Sequence, residues 1–332
     1  MRTAKVLFIG GTGLISSACL ALAHERGLSV TAVVRGRTTS RPLPPGVRQV
    51  TADVTDPQAL AGALDGERFD AVVNFIAFTP EQVQADVDLF GGRTGQYVFV
   101  SSTAVYSKPV GRLPLTESSP VRSLNWRYAQ DKIHCEELLE QAFRRRDFPA
   151  VIVRPGHTYD RTAIPLLGGW TAVDRLRRGE PVIVHGDGSS LRPMTHARDF
   201  ARGFVPLLGD GATIGDRFHI TSDDAPSWNF VYAELARAAG VTKPRLIHLT
   251  TDTIAGLAPD WAGYLRGDGS ASMMFDNTKI KRAVPGFAAT TSFAEGAREM
   301  VCWHDADPVR RRPDPAIDAL LDKLTALGPE GA

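Results

Sequence analysis

Three side chains in this sequence have the types and the spacing of a proton-transfer site: Ser102, Tyr128 and Lys132. Tyr128 and Lys132 lie four residues apart in a predicted helix over residues 125–146, so both face one side of it about a turn apart. A lysine ammonium beside a phenol is expected to lower the tyrosine pKa from its reference value of about 10. A tyrosine tuned in this way exchanges a proton with a substrate hydroxyl or carbonyl near neutral pH.

The pair alone is weak evidence, because Tyr and Lys at this spacing also occur on exposed helices without any catalytic role. Ser102 closes a predicted strand over residues 96–100. Its hydroxyl suits an ordinary turn at the end of a strand, and it suits equally a hydrogen bond to the same substrate oxygen. The choice between these interpretations depends on whether a cofactor site lies at the same edge.

A glycine-rich turn near the start of the chain predicts that cofactor site. The apolar residues 5–9 suit a buried strand, residues 17–26 suit a helix, and Gly10, Gly11 and Gly13 lie between them. Such a turn lets backbone N–H groups approach a pyrophosphate at the positive end of a helix. We expect Gly10 to make the turn and Gly13 to admit the phosphates, with Ser16 at the third fingerprint position instead of glycine.

Short apolar strands and helices alternate up to residue 154, which predicts an α/β fold with a Rossmann-type, doubly wound parallel sheet. Ligands of such folds bind at the carboxyl ends of the strands. The polar or glycine features there are the glycine turn, Arg35, Asp53, residues 74–77 and residues 101–102.

The second half of the chain reads as a smaller mixed α/β substrate-binding lobe, broken by Gly and Pro, with residues 256–276 expected to be irregular. The predicted dinucleotide-binding domain comprises residues 1–158 plus about 197–222. The substrate lobe comprises about 159–196 and 223–332.

Composition excludes several classes of protein. Among 332 residues, 43% are hydrophobic and the formal net charge is +1, so no global field favours nucleic acid or a membrane surface. The three cysteines are far apart, which fits a reducing compartment, and no Cys/His spacing suggests zinc. Without a recognisable signal peptide or an apolar span of about 18 residues, the predicted location is the cytoplasm.

Eight ordered stretches resemble motifs of the extended short-chain dehydrogenase/reductase family, the group of nucleotide-sugar epimerases and dehydratases. In order they resemble the cofactor turn, the adenine contact, the strand-four motif, the catalytic-serine strand, the YxxxK motif, the RPxxxY segment, the segment with a substrate-phosphate arginine, and a late motif: residues 10–15, 52–54, 74–77, 101–106, 128–132, 154–159, 186–199 and 275–279.

The resemblance implies a role for each matching residue. Tyr128 is then the general acid/base, Lys132 tunes it and holds the nicotinamide ribose, and Ser102 positions the reacting oxygen. The remaining implied cofactor contacts are Gly10, Thr12, Gly13, Leu14, Ile15, Arg35, Arg37, Asp53, Val54, Phe75, Ala77 and Pro155. The implied substrate contacts are Thr103, His157 and Arg192, with the Arg192 guanidinium pairing a substrate phosphate. A plain surface loop is the alternative for Arg192.

Departures from the family pattern narrow the expected reaction. Thr103 and Ala104 stand where the dehydratases carry an Asp and a Glu, which disfavours 4,6-dehydration and decarboxylation. Epimerisation and simple carbonyl or alcohol redox remain, on a sugar or a nucleotide-linked sugar. His157 stands where Asn is usual, which suggests an altered pocket or neutral drift. A non-catalytic, NAD(P)-binding sensor or RNA-associated relative is the alternative class.

The exit of the second strand bears on cofactor choice. An acidic residue there would accept from the ribose hydroxyl of NAD, whereas this chain has Arg35 and Arg37. Both NAD and NADP remain open, with a slight preference for NADP. The resemblance also implies a possible homodimer formed through the helices that contain Phe90 and Tyr128.

Overall fold

The computed structural model describes residues 3–36 and 40–328 and has eleven strands and twelve α-helices in that part of the chain. The strands in chain order are β1 Lys5–Ile9, β2 Ser29–Val34, β3 Arg48–Thr51, β4 Ala71–Asn74, β5 Tyr97–Val100, β6 Ala150–Pro155, β7 His157–Tyr159, β8 Val182–His185, β9 Met194–His196, β10 Arg217–Ile220 and β11 Leu246–Leu249. The helices are α1 Leu14–Glu25, α2 Pro57–Ala63, α3 Pro80–Phe90, α4 Arg127–Arg146, α5 Gly169–Arg177, α6 Ala197–Phe204, α7 Trp228–Ala238, α8 Thr251–Leu257, α9 Pro259–Tyr264, α10 Thr278–Ala283, α11 Phe293–Asp305 and α12 Pro315–Thr325.

Seven parallel strands form the central sheet in the order β10-β6-β5-β4-β1-β2-β3. Helices cover both faces, and the inner strands are accordingly apolar; Leu7, Phe8 and Ile9 of β1 have no solvent exposure. The edge strand β3 differs, since three of its four residues are exposed. Each such burial contributes about 1.5–3 kcal/mol of transfer free energy. The predicted α/β Rossmann-type fold is confirmed. The order of the strands reverses between β1 and β4, the place where such sheets bind ligands.

Two small parallel sheets lie outside the central one, β7 with β9 and β8 with β11. A separate apolar cluster there joins α5, α7 and α11, and α12 packs over β8 and α5. The assignment of this region to substrate binding stays a prediction. Within residues 3–36 and 40–328, no helix combines the length and the apolar character that a membrane crossing needs.

One prediction of secondary structure is wrong. Within residues 256–276, expected to be irregular, α9 runs directly into a π-helical turn, Leu265–Gly269. The glycines there are not chain breakers. A Cβ on Gly263 or Gly267 would lie 2.7 or 2.5 Å from Trp126, so these residues are small because an aromatic side chain packs on them.

Candidate active site

The predicted proton-transfer residues meet at the carboxyl edge of the sheet. Ser102 follows β5, and its Oγ accepts a hydrogen bond from the Ala104 N–H at 3.1 Å, which starts a short 3₁₀ turn. Tyr128 lies in the first turn of α4, where the Ser102 hydroxyl interacts with its phenol. Phe78 and Trp126 pack against the Tyr128 ring, with centroids 6.3 and 4.8 Å away.

Lys132 lies one turn further along α4 and is 1% exposed. Its ammonium donates to the carbonyl oxygens of Ala77, at 2.8 Å, and Val100, at 2.7 Å. These two bonds fix the ammonium between the ends of β4 and β5. Burial lowers the pKa of Lys132 to about 8.

The pKa of Tyr128 in this structure lies above its ordinary value, not below it as the spacing to Lys132 predicts. The effect of Lys132 on a phenolate formed during turnover stays a prediction. Burial raises the pKa of Tyr128; the Ser102 interaction works against this increase and the negative charge of Asp268 adds to it. The lysine Nζ lies 5.9 Å from the tyrosine ring centroid and its hydrogen bonds go to backbone carbonyls. Tyr128 is therefore a neutral phenol at neutral pH and is suited to donate a proton.

Asn74, at the end of β4, holds the loop that carries the Lys132 acceptor. Its side-chain oxygen accepts from the Ile76 and Ala77 N–H groups, both at 2.8 Å. Its amide donates to Asp86 at 2.5 Å, and the Tyr97 hydroxyl donates to the same carboxylate oxygen. This buried network ties the carboxyl end of β4 to α3 and β5.

Asp86 gives this network a testable pH dependence. Burial raises the pKa of Asp86 to about 6, which exceeds its value in an unfolded chain. The folded state therefore binds the extra proton, and the Asp86 contribution to stability is present below pH 4 and is lost as the pH rises through 6.

The variant Asp86→Asn tests this, because it keeps a hydrogen-bond acceptor but cannot ionise. We expect the unfolding free energy of the wild type, relative to Asp86→Asn, to fall between pH 4.5 and pH 7, as urea denaturation at each pH can measure; a constant difference would contradict this.

A cleft of about 550 Å³ lies beside the glycine turn, lined by Gly10, Thr12, Gly13, Arg35 and Val54 among others. Gly13 lines the cleft and caps α1, whose first N–H groups have no acceptors within the helix. Leu14 and Ile15 provide two of them. The Ser16 hydroxyl accepts from the Gly13 N–H at 2.8 Å, which explains how serine serves at the third fingerprint position. The glycine turn and the first residues of α1 (residues 10–15, the glycine cradle) therefore fit a dinucleotide pyrophosphate.

Gly10 is the residue on which the shape of the turn depends. Its φ is +89°, and a Cβ would lie 2.7 Å from Ile76 Cγ2. Gly27 has a similar φ of +81°, but a Cβ there meets nothing within 4 Å. We expect Gly10→Ala to weaken NADPH and NADH binding at least about tenfold, and Gly27→Ala to cost only the backbone strain of about 1–3 kcal/mol. Titration calorimetry and thermal unfolding of both variants test this; equal cofactor binding by Gly10→Ala would be inconsistent with the assignment.

Other predicted cofactor residues occupy the same edge in different ways. Arg35 lines the cleft, as does Arg41, which also pairs with Asp160 at 2.7 Å. Arg37 lies outside the described residues. The Asp53 carboxylate accepts hydrogen bonds from the Thr55 N–H and hydroxyl. Its neighbour Val54 lines the cleft.

Phe75 and Pro155 differ in their surroundings. The Phe75 ring packs between Phe8 and Phe204, with centroids 5.8 and 5.6 Å away, so only its backbone remains for a cofactor contact. Pro155 is buried and ends β6, and Gly156 separates it from His157 at the start of β7. Thr103 is 2% exposed in the turn after Ser102.

Arg192, expected to pair a substrate phosphate, has other partners here. It is 1% exposed and donates to the Asp268 carboxylate at 3.1 Å, to the Asp268 carbonyl and to the Ala271 carbonyl at 3.2 Å. Lys108 pairs with the same carboxylate at 2.9 Å. Burial works to raise the pKa of Asp268, but the two cations outweigh it and the pKa lies below its ordinary value. Arg192 thus supports the π-helical turn, and its role with phosphate stays a prediction.

Sequence reasoning did not identify Lys108, Asp268 and Tyr264 as site residues, whereas the unusual Asn125-Trp126 before Tyr128 suggested an altered substrate pocket. Asp268 lies near both Tyr128 and His157, since its charge acts on the pKa of each. It is 166 positions from Ser102 in sequence, with no motif around it. The cluster of glycines at 263, 267 and 269 was the available signal, because close approach of aromatic rings requires small residues.

The fold and the glycine cradle define a dinucleotide-binding protein of the Rossmann class. Residues 6–220 match the model of the NAD dependent epimerase/dehydratase family, and the chain belongs to that family. It is 26% identical over 243 residues to a 2'-dehydrokanamycin reductase of Streptomyces kanamyceticus, covering 72% of this chain and 67% of that protein. It is 23% identical over 256 residues to a chloroplast stem-loop binding protein of Arabidopsis thaliana, covering 74% of this chain and 65% of that protein.

Solved structures of low identity share the fold. A dTDP-glucose 4,6-dehydratase of Bacillus anthracis in complex with NAD is 17% identical, with a TM-score of 0.75 over 93% of this chain and 98% of that one. A UDP-glucose 4-epimerase of Thermotoga maritima with UDP-glucose is 18% identical, with a TM-score of 0.73 over 91% and 99%. These likenesses concern the fold, and the substrates belong to those proteins.

Proposed function

We propose that this chain is an NAD(P)-dependent oxidoreductase or epimerase that acts at a carbinol or keto carbon of a sugar or a sugar-linked compound. The observation that supports this best is the meeting of Ser102, Tyr128 and Lys132 at the sheet edge beside the glycine cradle. A nicotinamide bound there supplies or accepts a hydride. Gly10, Leu14, Ile15, Arg35 and Val54 would hold the dinucleotide.

The proton chemistry follows from the protonation states. The neutral Tyr128 phenol donates its proton to a substrate carbonyl oxygen, and the Ser102 hydroxyl orients that oxygen. Lys132 holds its place through the Ala77 and Val100 carbonyls and provides positive charge near the phenolate that remains. Because the raised pKa keeps the Tyr128 phenol protonated near neutral pH, the free site is in the form that carbonyl reduction requires. Buried Thr103 and Ala104 offer no second acid, so dehydration is not proposed.

Two tests separate the candidate reactions. Purified protein should oxidise NADPH or NADH when offered keto substrates such as 2'-dehydrokanamycin, or should interconvert epimers of a substrate such as UDP-glucose. A nicotinamide retained through gel filtration supports an epimerase, whereas a protein purified without it that consumes reduced cofactor supports a reductase. A protein that binds neither NADPH nor NADH would contradict the proposal.

A non-catalytic role is the second candidate, supported by the likeness to a stem-loop binding protein. The formal net charge of +1 and the complete set of Ser102, Tyr128 and Lys132 argue against it. Tight binding of an RNA stem-loop by both the wild type and Tyr128→Phe, with no turnover by either, would support the non-catalytic role.

For cofactor choice we propose a preference for NADP, carried by Arg35 in the cleft. Arg35→Ala removes a guanidinium that can pair the additional phosphate. A lost charge-assisted hydrogen bond of about 1.5–3 kcal/mol predicts NADPH binding at least about tenfold weaker. NADH binding, measured in the same calorimetric titration, should change less than twofold. An equal loss of affinity for NADPH and NADH would mean that Arg35 does not contact the additional phosphate of NADPH.

A further inference from the structure

An aromatic cavity lies in the second half of the chain, next to the catalytic edge. Its volume is about 400 Å³, within the range of small-molecule sites, and it is bounded by α7, α9, the start of α5 and Ile317 of α12. Rings provide much of the wall: His157, His185, Trp228, Tyr232, Trp261 and Tyr264. Aliphatic, proline and glycine residues complete it, with no Lys, Arg, Asp or Glu among the described residues that line it.

Two buried polar atoms in this wall have no hydrogen-bond partner within the described chain, the Tyr264 hydroxyl and His185 Nδ1. His185 Nε2 lies 3.0 Å from the Gly269 carbonyl, which can only accept, so Nε2 carries the proton. The neutral ring then offers Nδ1 as an acceptor. An unsatisfied buried polar group is costly, so the Tyr264 hydroxyl as a donor and His185 Nδ1 as an acceptor would each gain from a partner in the cavity. A ligand with a hydroxyl could satisfy both atoms.

Tilted and edge-on ring contacts connect this cavity to Tyr128. Trp126 contacts Tyr128 and Tyr264, with centroids 4.8 and 5.9 Å apart respectively. His157 contacts Tyr264 at 6.3 Å and Trp228 at 5.6 Å. A substrate whose reacting carbon lies at Tyr128 therefore finds the aromatic cavity two ring contacts away.

The electrostatics of the cavity disfavour a diphosphate. Burial lowers the pKa of His157 and of His185 to about 4, so both are uncharged at neutral pH. The nearby Arg192 and Lys108 are held by Asp268. Moving a doubly charged group into this space would require those ion pairs to break, since a buried charge must be paired.

We propose that this cavity binds the non-reacting part of the substrate, and that this part is an uncharged planar ring bearing a hydroxyl group, not a nucleoside diphosphate. This inference rests on the proposed function for its link to catalysis. The flat walls favour a ring by stacking. The Tyr264 hydroxyl donates to the ligand oxygen, and His185 Nδ1 accepts from the ligand hydroxyl.

Calorimetry with 2-naphthol and with UDP as separate probes tests the ligand class without turnover. We expect 2-naphthol to bind the wild type more tightly than UDP does. Loss of one hydrogen bond should weaken 2-naphthol binding about fivefold in Tyr264→Phe. Tyr159→Phe is the matched control, because it also removes a buried, unpartnered hydroxyl but lies outside the cavity. It should change 2-naphthol binding less than twofold.

Trp261→Leu provides a second variant that keeps the wall apolar but removes a flat ring. It should abolish a wild-type preference for 2-naphthol over its saturated analogue decahydro-2-naphthol. Tighter binding of UDP than of 2-naphthol, or equal 2-naphthol binding by Tyr264→Phe and the wild type, would overturn the inference. Binding of 2-naphthol as expected, in a protein that binds neither nicotinamide nucleotide, would support the ligand class and contradict the proposed function.

Discussion

Tyr128→Phe is expected to lower kcat for ketone reduction by about 10²–10⁴, the usual contribution of a positioned general acid. The substitution removes the only atom with which the side chain can donate a proton, and the ring keeps its contacts with Phe78 and Trp126. NADPH affinity should change less than twofold, because the cradle is untouched. Steady-state rates with calorimetric cofactor binding measure both effects.

Tyr159→Phe is the control for this substitution as well, since it removes a buried phenol hydroxyl from a ring that packs against His196 and Phe293. Its kcat should remain within about twofold of the wild type. A Tyr128→Phe enzyme that retains more than a tenth of the wild-type kcat would show that another group donates the proton.

Lys132→Met is expected to affect both stability and catalysis. It leaves the Ala77 and Val100 carbonyls without their donor, at a cost of about 1–3 kcal/mol for a buried unsatisfied group. It also removes the positive charge that stabilises the phenolate formed during proton donation, so kcat should fall at least about a hundredfold. Lys281→Met is the matched control, because Lys281 is an exposed lysine paired with Asp223.

The pH dependence of kcat/KM separates the effect of the Lys132 charge from the effect of its packing. Burial places its pKa at about 8, so the charged form is lost as the pH rises through 8. The wild-type kcat/KM for reduction should therefore fall on the basic side of a midpoint near pH 8. The same depressed pKa means that the unfolded state binds more protons between pH 8 and 10, so the Lys132 contribution to stability increases over that window. A flat kcat/KM profile through pH 9 would contradict a catalytic role for the charge.

Much of the fold could be predicted from the sequence because buried parallel strands are short apolar runs and β1 ends in a glycine cluster. The same rule placed Ser102, Arg35 and Asn74 at one edge, since strand ends in a parallel sheet converge. The predicted helix over residues 125–146 begins two residues later, at Arg127. The assignment of roles to these residues stays a prediction.

The rest depended on tertiary contacts that leave little trace in local sequence. The spacing of Tyr128 and Lys132 could not predict that the lysine ammonium would donate its hydrogen bonds to two backbone carbonyls. It also could not predict that burial would raise the pKa of the Tyr128 phenol. Arg192 lies in a polar stretch that resembles a loop, but the π-helical turn of a distant segment encloses it. Burial of a charge is decided by such long-range packing.

Transfer of deuterium from NADPH that carries deuterium at both hydrogen positions of nicotinamide C4 tests the central claim most directly. The labelled cofactor is incubated with a ketone that the wild type reduces, and mass spectrometry locates the label in the product. We predict deuterium on the new carbinol carbon with the wild type, and transfer at least a hundredfold slower with Tyr128→Phe. Transfer by Tyr128→Phe at the wild-type rate, or a product formed without the label, would contradict hydride transfer assisted by proton donation from Tyr128.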